Sequence, residues 1–125
     1  MMTECPCGSG KPYTDCCSKI HQDLRLASSA EQLMRARYAA FTLQLIDFIY
    51  DSFYWKSRKL QNKSDIADWA KANKWMKLEV LNATENTVEF KAYYLNPQGE
   101  MEIHHELSKF KQDNKIWYYL SGKHA

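Results

Sequence analysis

Thr87-Val88-Glu89-Phe90-Lys91-Ala92-Tyr93-Tyr94-Leu95, then Asn96-Pro97-Gln98-Gly99, then Glu100-Met101-Glu102-Ile103-His104-His105-Glu106-Leu107-Ser108-Lys109-Phe110 is the stretch that decides the fold. Two runs that alternate with a period near two flank a four-residue turn signal, which predicts a pair of antiparallel strands. The same period extends in both directions. Lys77 to Ala83 precedes the pair across Thr84-Glu85-Asn86, and Lys115 to Leu120 follows it across Gln112-Asp113-Asn114. Four strands are expected.

Upstream of Met76 the period is 3.6. Ser28-Ser29-Ala30-Glu31-Gln32 holds two overlapping capping-box patterns, Ser28 with Glu31 and Ser29 with Gln32. Leu33, Met34, Tyr38, Phe41 and Leu45 then recur at helical spacing. Ile46 to Trp55 continues that helix or forms another, with Phe48, Ile49, Phe53 and Trp55 as its apolar members. Residues 56–63 read as a polar connection. A further helix is expected from Ser64-Asp65 to Lys74, turning Ile66, Trp69, Ala70 and Trp75 to the core, and a short helical stretch from Ser18 to Leu26. Helices first and antiparallel strands after are the pattern of an α+β domain. The expected organisation is a knuckle over residues 1–20 and the α+β domain over 21–125.

A chain of 125 residues, 45% hydrophobic and 14% aromatic, has material for one packed core. Seventeen basic and 15 acidic side chains leave a net charge of +2, which argues against nucleic-acid binding. The basic group Lys71, Lys74 and Lys77 around Trp75 reads as a solvated edge. No apolar run approaches the roughly 20 residues of a membrane helix. Met1-Met2-Thr3-Glu4-Cys5 lacks the basic and apolar regions of a secretory leader. A cytoplasmic protein without a membrane partner is expected.

All four cysteines, Cys5, Cys7, Cys16 and Cys17, lie in the first 17 residues. Disulfides that brace a fold are spread along the chain they staple, whereas a tight cluster points to a metal. Four thiolates suit tetrahedral zinc, with iron as the alternative, and they fill the coordination sphere as a structural site does. The competing reading is redox chemistry through a vicinal Cys16–Cys17 disulfide, whose ring is strained. Gly8, Ser9 and Gly10 let the backbone turn sharply, and Lys11 and Lys19 offset the site's negative charge. This segment has almost no apolar core of its own, so metal binding is expected to fold residues 3–19 while the rest stands alone.

Cys5-Pro6-Cys7-Gly8-Ser9-Gly10-Lys11-Pro12-Tyr13-Thr14-Asp15-Cys16-Cys17 resembles the SEC-C motif, the metal-binding tail of the preprotein translocase ATPase SecA. The resemblance implies zinc or a similar metal and contact with protein partners such as the chaperone SecB. Ala30-Glu31-Gln32-Leu33-Met34-Arg35-Ala36-Arg37-Tyr38-Ala39-Ala40-Phe41, His105-Glu106-Leu107-Ser108-Lys109-Phe110 and Trp117-Tyr118-Tyr119 resemble the YchJ-like family. That family joins SEC-C motifs to a domain similar to nuclear transport factor 2, a curved antiparallel sheet wrapped by helices into a cone. Three departures stand out. Longer relatives carry a second SEC-C motif, whereas this sequence runs to Ala125; a His-Pro pair of relatives is Tyr54-Trp55 here; and an Asp-Gly is Ser121-Gly122. The second departure argues against an inherited catalytic histidine.

Strand alternation groups His104, Glu106, Ser108 and Phe110 on one face, opposite Met101, Ile103, His105 and Leu107. Trp117 and Tyr119 share a face of the last strand. Arg37 lies four residues from both Leu33 and Phe41, on or beside its helix's apolar side. Arg37, Tyr38, Glu106 and Tyr119 are therefore the candidate pocket residues, with Arg37 and Glu106 expected to meet as a buried ion pair. That pair either holds a small ligand or orients the helix on the sheet. A binding role is preferred, as an adaptor that contacts a protein through the knuckle or as a holder of a small ligand in the cone. The alternative is a hydrolase or isomerase using the same pocket, an analogy at the level of the fold. An adaptor predicts a filled cone and exposed Lys11, Pro12 and Tyr13. An enzyme predicts an open cavity with Glu106 or a histidine at a shifted pKa.

Overall fold

The computed structural model describes residues 3–125; Met1 and Met2, where the leader signature was sought, lie outside the described residues. The elements run α1 (Cys17–Gln22), α2 (Ala30–Leu43), α3 (Ile46–Asp51), α4 (Lys63–Ala72), β1 (Lys74–Ala83), β2 (Thr87–Leu95), β3 (Met101–Asp113) and β4 (Ile116–His124). Short 3-10 turns at Tyr13–Asp15, Leu24–Leu26 and Arg58–Leu60 join them. The strands form one antiparallel sheet in the order β1-β2-β3-β4. The fold is the α+β architecture that the change of period implied.

Local chemistry explains the helix ends. Ser29 caps α2, its hydroxyl accepting from the Gln32 amide at 3.1 Å, while the Gln32 side chain accepts from the Ser28 amide at 3.0 Å. Of the two overlapping patterns, the one centred on Ser29 is used, and Glu31 pairs with Arg35 at 3.0 Å instead. Gln44 ends α2 in the left-handed conformation at φ 62° and reaches across to the Ala70 carbonyl of α4 at 3.0 Å. Ile46 therefore opens a separate helix. Asn62 caps α4 through the amides of Ser64 and Asp65.

Several boundaries differ from the sequence reading: α3 stops at Asp51 rather than Trp55, β1 begins at Lys74 rather than Lys77, and β3 runs on to Asp113. Helix α4 ends at Ala72, so Trp75 belongs to β1 rather than to the helix. It still packs on the core, against Tyr38, Phe41 and Trp69, while Trp69 itself is 43% exposed. Strand β4 runs on past Leu120 to His124, because Ser121 to His124 pair with β3 back to Glu106 although they lack apolar alternation.

Helix α2 covers the concave side of the sheet, burying Leu33, Met34, Ala36 and Tyr38 against Val88, Phe90, Ala92, Phe110 and Trp117. At the sheet edge, Ser52–Tyr54 lies beside β4. The Tyr119 amide donates to the Ser52 carbonyl and the Tyr54 amide to the Tyr119 carbonyl, each at 2.8 Å, and Phe53 bridges Tyr119 in parallel. No helix among the described residues is long and apolar enough to cross a membrane.

Candidate functional site

The cysteine loop is a small hairpin. Glu4 pairs with Pro12, and the Cys5 amide donates to the Lys11 carbonyl at 2.9 Å. Gly8 and Gly10, at φ 82° and 83°, supply the left-handed turns that bring Cys7 back toward Cys16 and Cys17. The loop also packs on the rest of the chain. Cys5, Cys7 and Cys17 are buried in the same apolar cluster as Leu33 and Leu78. Arg35 of α2 donates to the Cys7 carbonyl at 2.8 Å. Tyr13 donates to His21 Nδ1 at 2.7 Å, and His21 Nε2 donates to the Ala36 carbonyl at 2.7 Å. Burial lowers the His21 pKa, as befits a neutral ring with one accepting and one donating nitrogen.

The four Sγ atoms lie within 4.8 Å of one another, and none is in a disulfide. Sulfurs at about 2.3 Å from a tetrahedral zinc stand about 3.8 Å apart. Cys7 and Cys16 are at 3.6 Å, and Cys16 and Cys17 at 3.9 Å. The set therefore fits one metal ion. Its electrostatics call for a cation as well. The neighbouring Cys17 thiol holds Cys7 down to about 4, burial holds Cys5 up at about 11, and Cys7 pushes Cys17 higher still. A divalent ion would offset the negative charge of the thiolates that hold it. The Ser9 hydroxyl lies 3.2 Å from the half-buried Cys16 sulfur, a position its place between two glycines did not announce.

The second feature is a cavity of about 490 Å³ between the helices and the sheet, and Arg37, Tyr38, Glu106 and Tyr119 all line it. The ion pair expected between two of them is not the contact they make. Arg37 and Glu106 form no direct ion pair. Arg37 Nη1 donates to the Ile49 carbonyl at 3.2 Å and to the Ser52 hydroxyl, and its guanidinium stands over the Tyr119 ring at 4.1 Å and the Phe53 ring at 4.6 Å. Glu106 accepts from His104 Nε2 at 2.7 Å, from the Tyr119 hydroxyl at 2.9 Å and from the Ser108 hydroxyl. Tyr119 thus stands between the two charges, its ring toward the cation and its hydroxyl on the anion.

The approach of Gly122 to Tyr119 and Glu106 depends on an irregularity in β4. Lys109 pairs with Ser121 but Phe110 with Tyr119, leaving Leu120 as an extra residue. Tyr119 and Gly122 consequently face the same side, opposite Phe110 and Ser108, and both meet Glu106. A Cβ at Gly122 would overlap the Glu106 carboxylate and the Tyr119 hydroxyl. Gly122 and Ser108 are thus part of the site although neither was a candidate; a lone glycine inside a strand is itself the signal of such a close approach. His104 and His105 point to opposite faces, His105 pairing with Glu89 at 2.8 Å, so the two do not share a ligand.

Burial lowers Arg37 to about 10, so it stays cationic, with Tyr119 and Glu106 opposing the shift. Burial also pushes the Glu106 carboxyl up, but its bonds from His104, Ser108 and Tyr119 outweigh burial and hold it below the ordinary 4.5. Tyr119 is raised by burial and by the Glu106 charge, and Tyr38 is raised to about 12 by burial. A carboxyl whose native pKa is depressed stabilises the fold above its unfolded value, and the gain is lost as pH falls through the native value. Urea midpoints are therefore expected to drop more steeply below about pH 4.5 in the native chain than in Glu106→Gln. Parallel acid limbs would mean that the three bonds confer no net preference for the ionised form.

Known proteins resemble this chain along almost its whole length. A UPF0225 protein of Geobacter sulfurreducens is 36% identical over 98% of this chain and 80% of its own, and one of Vibrio parahaemolyticus is 34% identical over 98% and 75%. The solution structure of a SEC-C motif-containing protein from Rhodopseudomonas palustris superposes with a TM-score of 0.90 at 35% identity, covering 98% of this chain and 99% of that one. A crystal structure of a SEC-C motif-containing protein from Psychrobacter arcticus gives 0.81 at 34% identity, over 97% and 82%. The sequence model of the YchJ middle NTF2-like domain matches residues 29–122. With its cysteine hairpin and its helix-covered sheet, the chain belongs to the YchJ-like family.

Proposed function

We propose that the chain is a small-ligand-binding protein whose N-terminal hairpin is stapled by a structural metal. The observation that carries this reading is the open cavity over the sheet, walled by Phe41, Trp75, Phe90 and Phe110 with a polar corner at Arg37, Glu106 and Tyr119. An adaptor with an inert cone fits less well: the cone is open, and Tyr13 turns inward to His21 rather than out to a partner. Lys11 stays exposed, so a protein partner at the knuckle is the second reading, favoured by the groove that Lys11, Lys19, Arg35 and Cys16 line. Zinc is the preferred ion, with iron fitting the same thiolates, and a reducing cytoplasm suits four free cysteines. Catalysis is disfavoured because Glu106, ionised and holding three donors, is a weak base.

A neutral fluorescent probe, N-phenyl-1-naphthylamine, tests the reading. It is expected to bind with a 1:1 stoichiometry and to quench Trp69 and Trp75, which line the cavity. Ala92→Leu, which fills the cavity from the sheet side, should weaken binding at least tenfold. Equal binding by native chain and variant would place the probe elsewhere and remove the support for a ligand-holding cone.

A further inference from the structure

Arg37 is only 7% exposed, yet its guanidinium is incompletely partnered. Nη1 is engaged with the Ile49 carbonyl and the Ser52 hydroxyl. Among the described residues no hydrogen bond is made by Nε or Nη2, and no carboxylate comes within ion-pair distance of the side chain. No side-chain nitrogen of the described residues is both fully enclosed and unpaired, so these two reach the cavity that Arg37 lines. A buried cation without an anion costs free energy that an incoming anion recovers.

The shape of the free edge narrows the class of anion. With Nη1 occupied, Nε–H and Nη2–H remain side by side, the fork that a carboxylate meets with two parallel hydrogen bonds. Glu106, the other charge in the cavity, already holds donors from His104, Ser108 and Tyr119. It leaves Arg37 as the group in search of a partner. Much of the remaining wall is aromatic: Tyr38, Phe41, Trp69, Trp75, Phe90 and Phe110 line it. A volume of about 490 Å³ has room for one or two fused rings.

From these observations we infer that the cavity binds a small aromatic carboxylate, its carboxylate on the Nε–Nη2 edge of Arg37 and its ring among the aromatic side chains. The inference rests on the cone being a ligand site and adds the chemistry of the ligand.

The test compares 1-naphthoate with its neutral counterpart 1-naphthalenemethanol by calorimetry, while amide spectra follow the Trp75 indole N–H, which donates to the Ala70 carbonyl. The carboxylate is expected to bind at least tenfold more tightly than the alcohol and to shift that indole signal. In Arg37→Gln the preference for the carboxylate over the alcohol should vanish, and Arg37→Lys should restore part of it. The comparison of the two probes uses the unaltered chain, so it decides the matter even where Arg37→Gln fails to fold. Equal affinity for the two probes overturns the carboxylate and leaves the ligand-holding cone standing. Binding of neither probe, together with no effect of Ala92→Leu on N-phenyl-1-naphthylamine, overturns both.

Discussion

Stripping the metal with a chelator, or replacing Cys17 with Ser, is expected to lower the thermal midpoint by on the order of 15 °C. An ion present at about a thousand times its Kd, and bound only by the native state, contributes about 4 kcal/mol, and a domain of this size shifts by several degrees per kcal/mol. Elemental analysis of protein purified without added metal should return about one equivalent of zinc or iron. All four thiols should become titratable only after chelation. The sequence alone suggested that residues 3–19 would come apart while the cone stayed intact. The packing argues for a shared fate: Cys5, Cys7 and Cys17 belong to the cluster of Leu33 and Leu78, and Arg35 and His21 tie the hairpin and α1 to α2. Hydrogen exchange should therefore report lost protection across residues 3–22 and a lower global stability in the same sample. An unchanged midpoint after complete metal loss would detach the hairpin from the domain's stability and restore the two-unit view.

Gly122→Val is expected to destabilise the chain by about 3 kcal/mol. Gly122 is buttressed by the Glu106 carboxylate and the Tyr119 hydroxyl, with no room for even a methyl group. A valine must either pry β4 from β3 or push the carboxylate off its donors. Overpacking costs about 1–3 kcal/mol, and a buried acceptor deprived of partners costs about as much again. The measurement is a urea titration of four chains: native, Gly122→Val, Glu106→Ala and the double variant. Because the two residues touch, the valine should cost at least 1 kcal/mol less once Glu106 is truncated. Additive costs would mean that the strain lies in the backbone of β4 rather than at the carboxylate.

The α+β class was legible because its signals are local and repeated. The alternation through Thr87–Leu95 and Glu100–Phe110, the turn at Asn96–Gly99 and the cap at Ser29 each need only neighbouring residues. The cysteine cluster was legible for the same reason, since four thiols within 13 residues leave little freedom. The cavity was half legible. Alternation put His104, Glu106 and Ser108 on one face, and helical spacing put Arg37 near the apolar side of α2. What brought Gly122 against Tyr119 and Glu106, however, is one extra residue at Leu120, and a bulge leaves no mark in hydrophobic pattern. Nor does Ser52, a small polar residue at the end of α3, declare that it fixes one nitrogen of a guanidinium fifteen residues upstream. His21 is similarly silent, because its two partners lie on different segments.

The strip Ser52–Tyr54 beside β4 has a consequence for self-association. A four-stranded open sheet ends in strands whose outward amides and carbonyls invite another chain to add on. At the centre of the β4 margin that invitation is withdrawn, since both main-chain groups of Tyr119 are already bonded to Ser52 and Tyr54. An incoming strand finds no continuous ladder there, so the clip that steadies the Arg37 wall also guards this edge against strand addition.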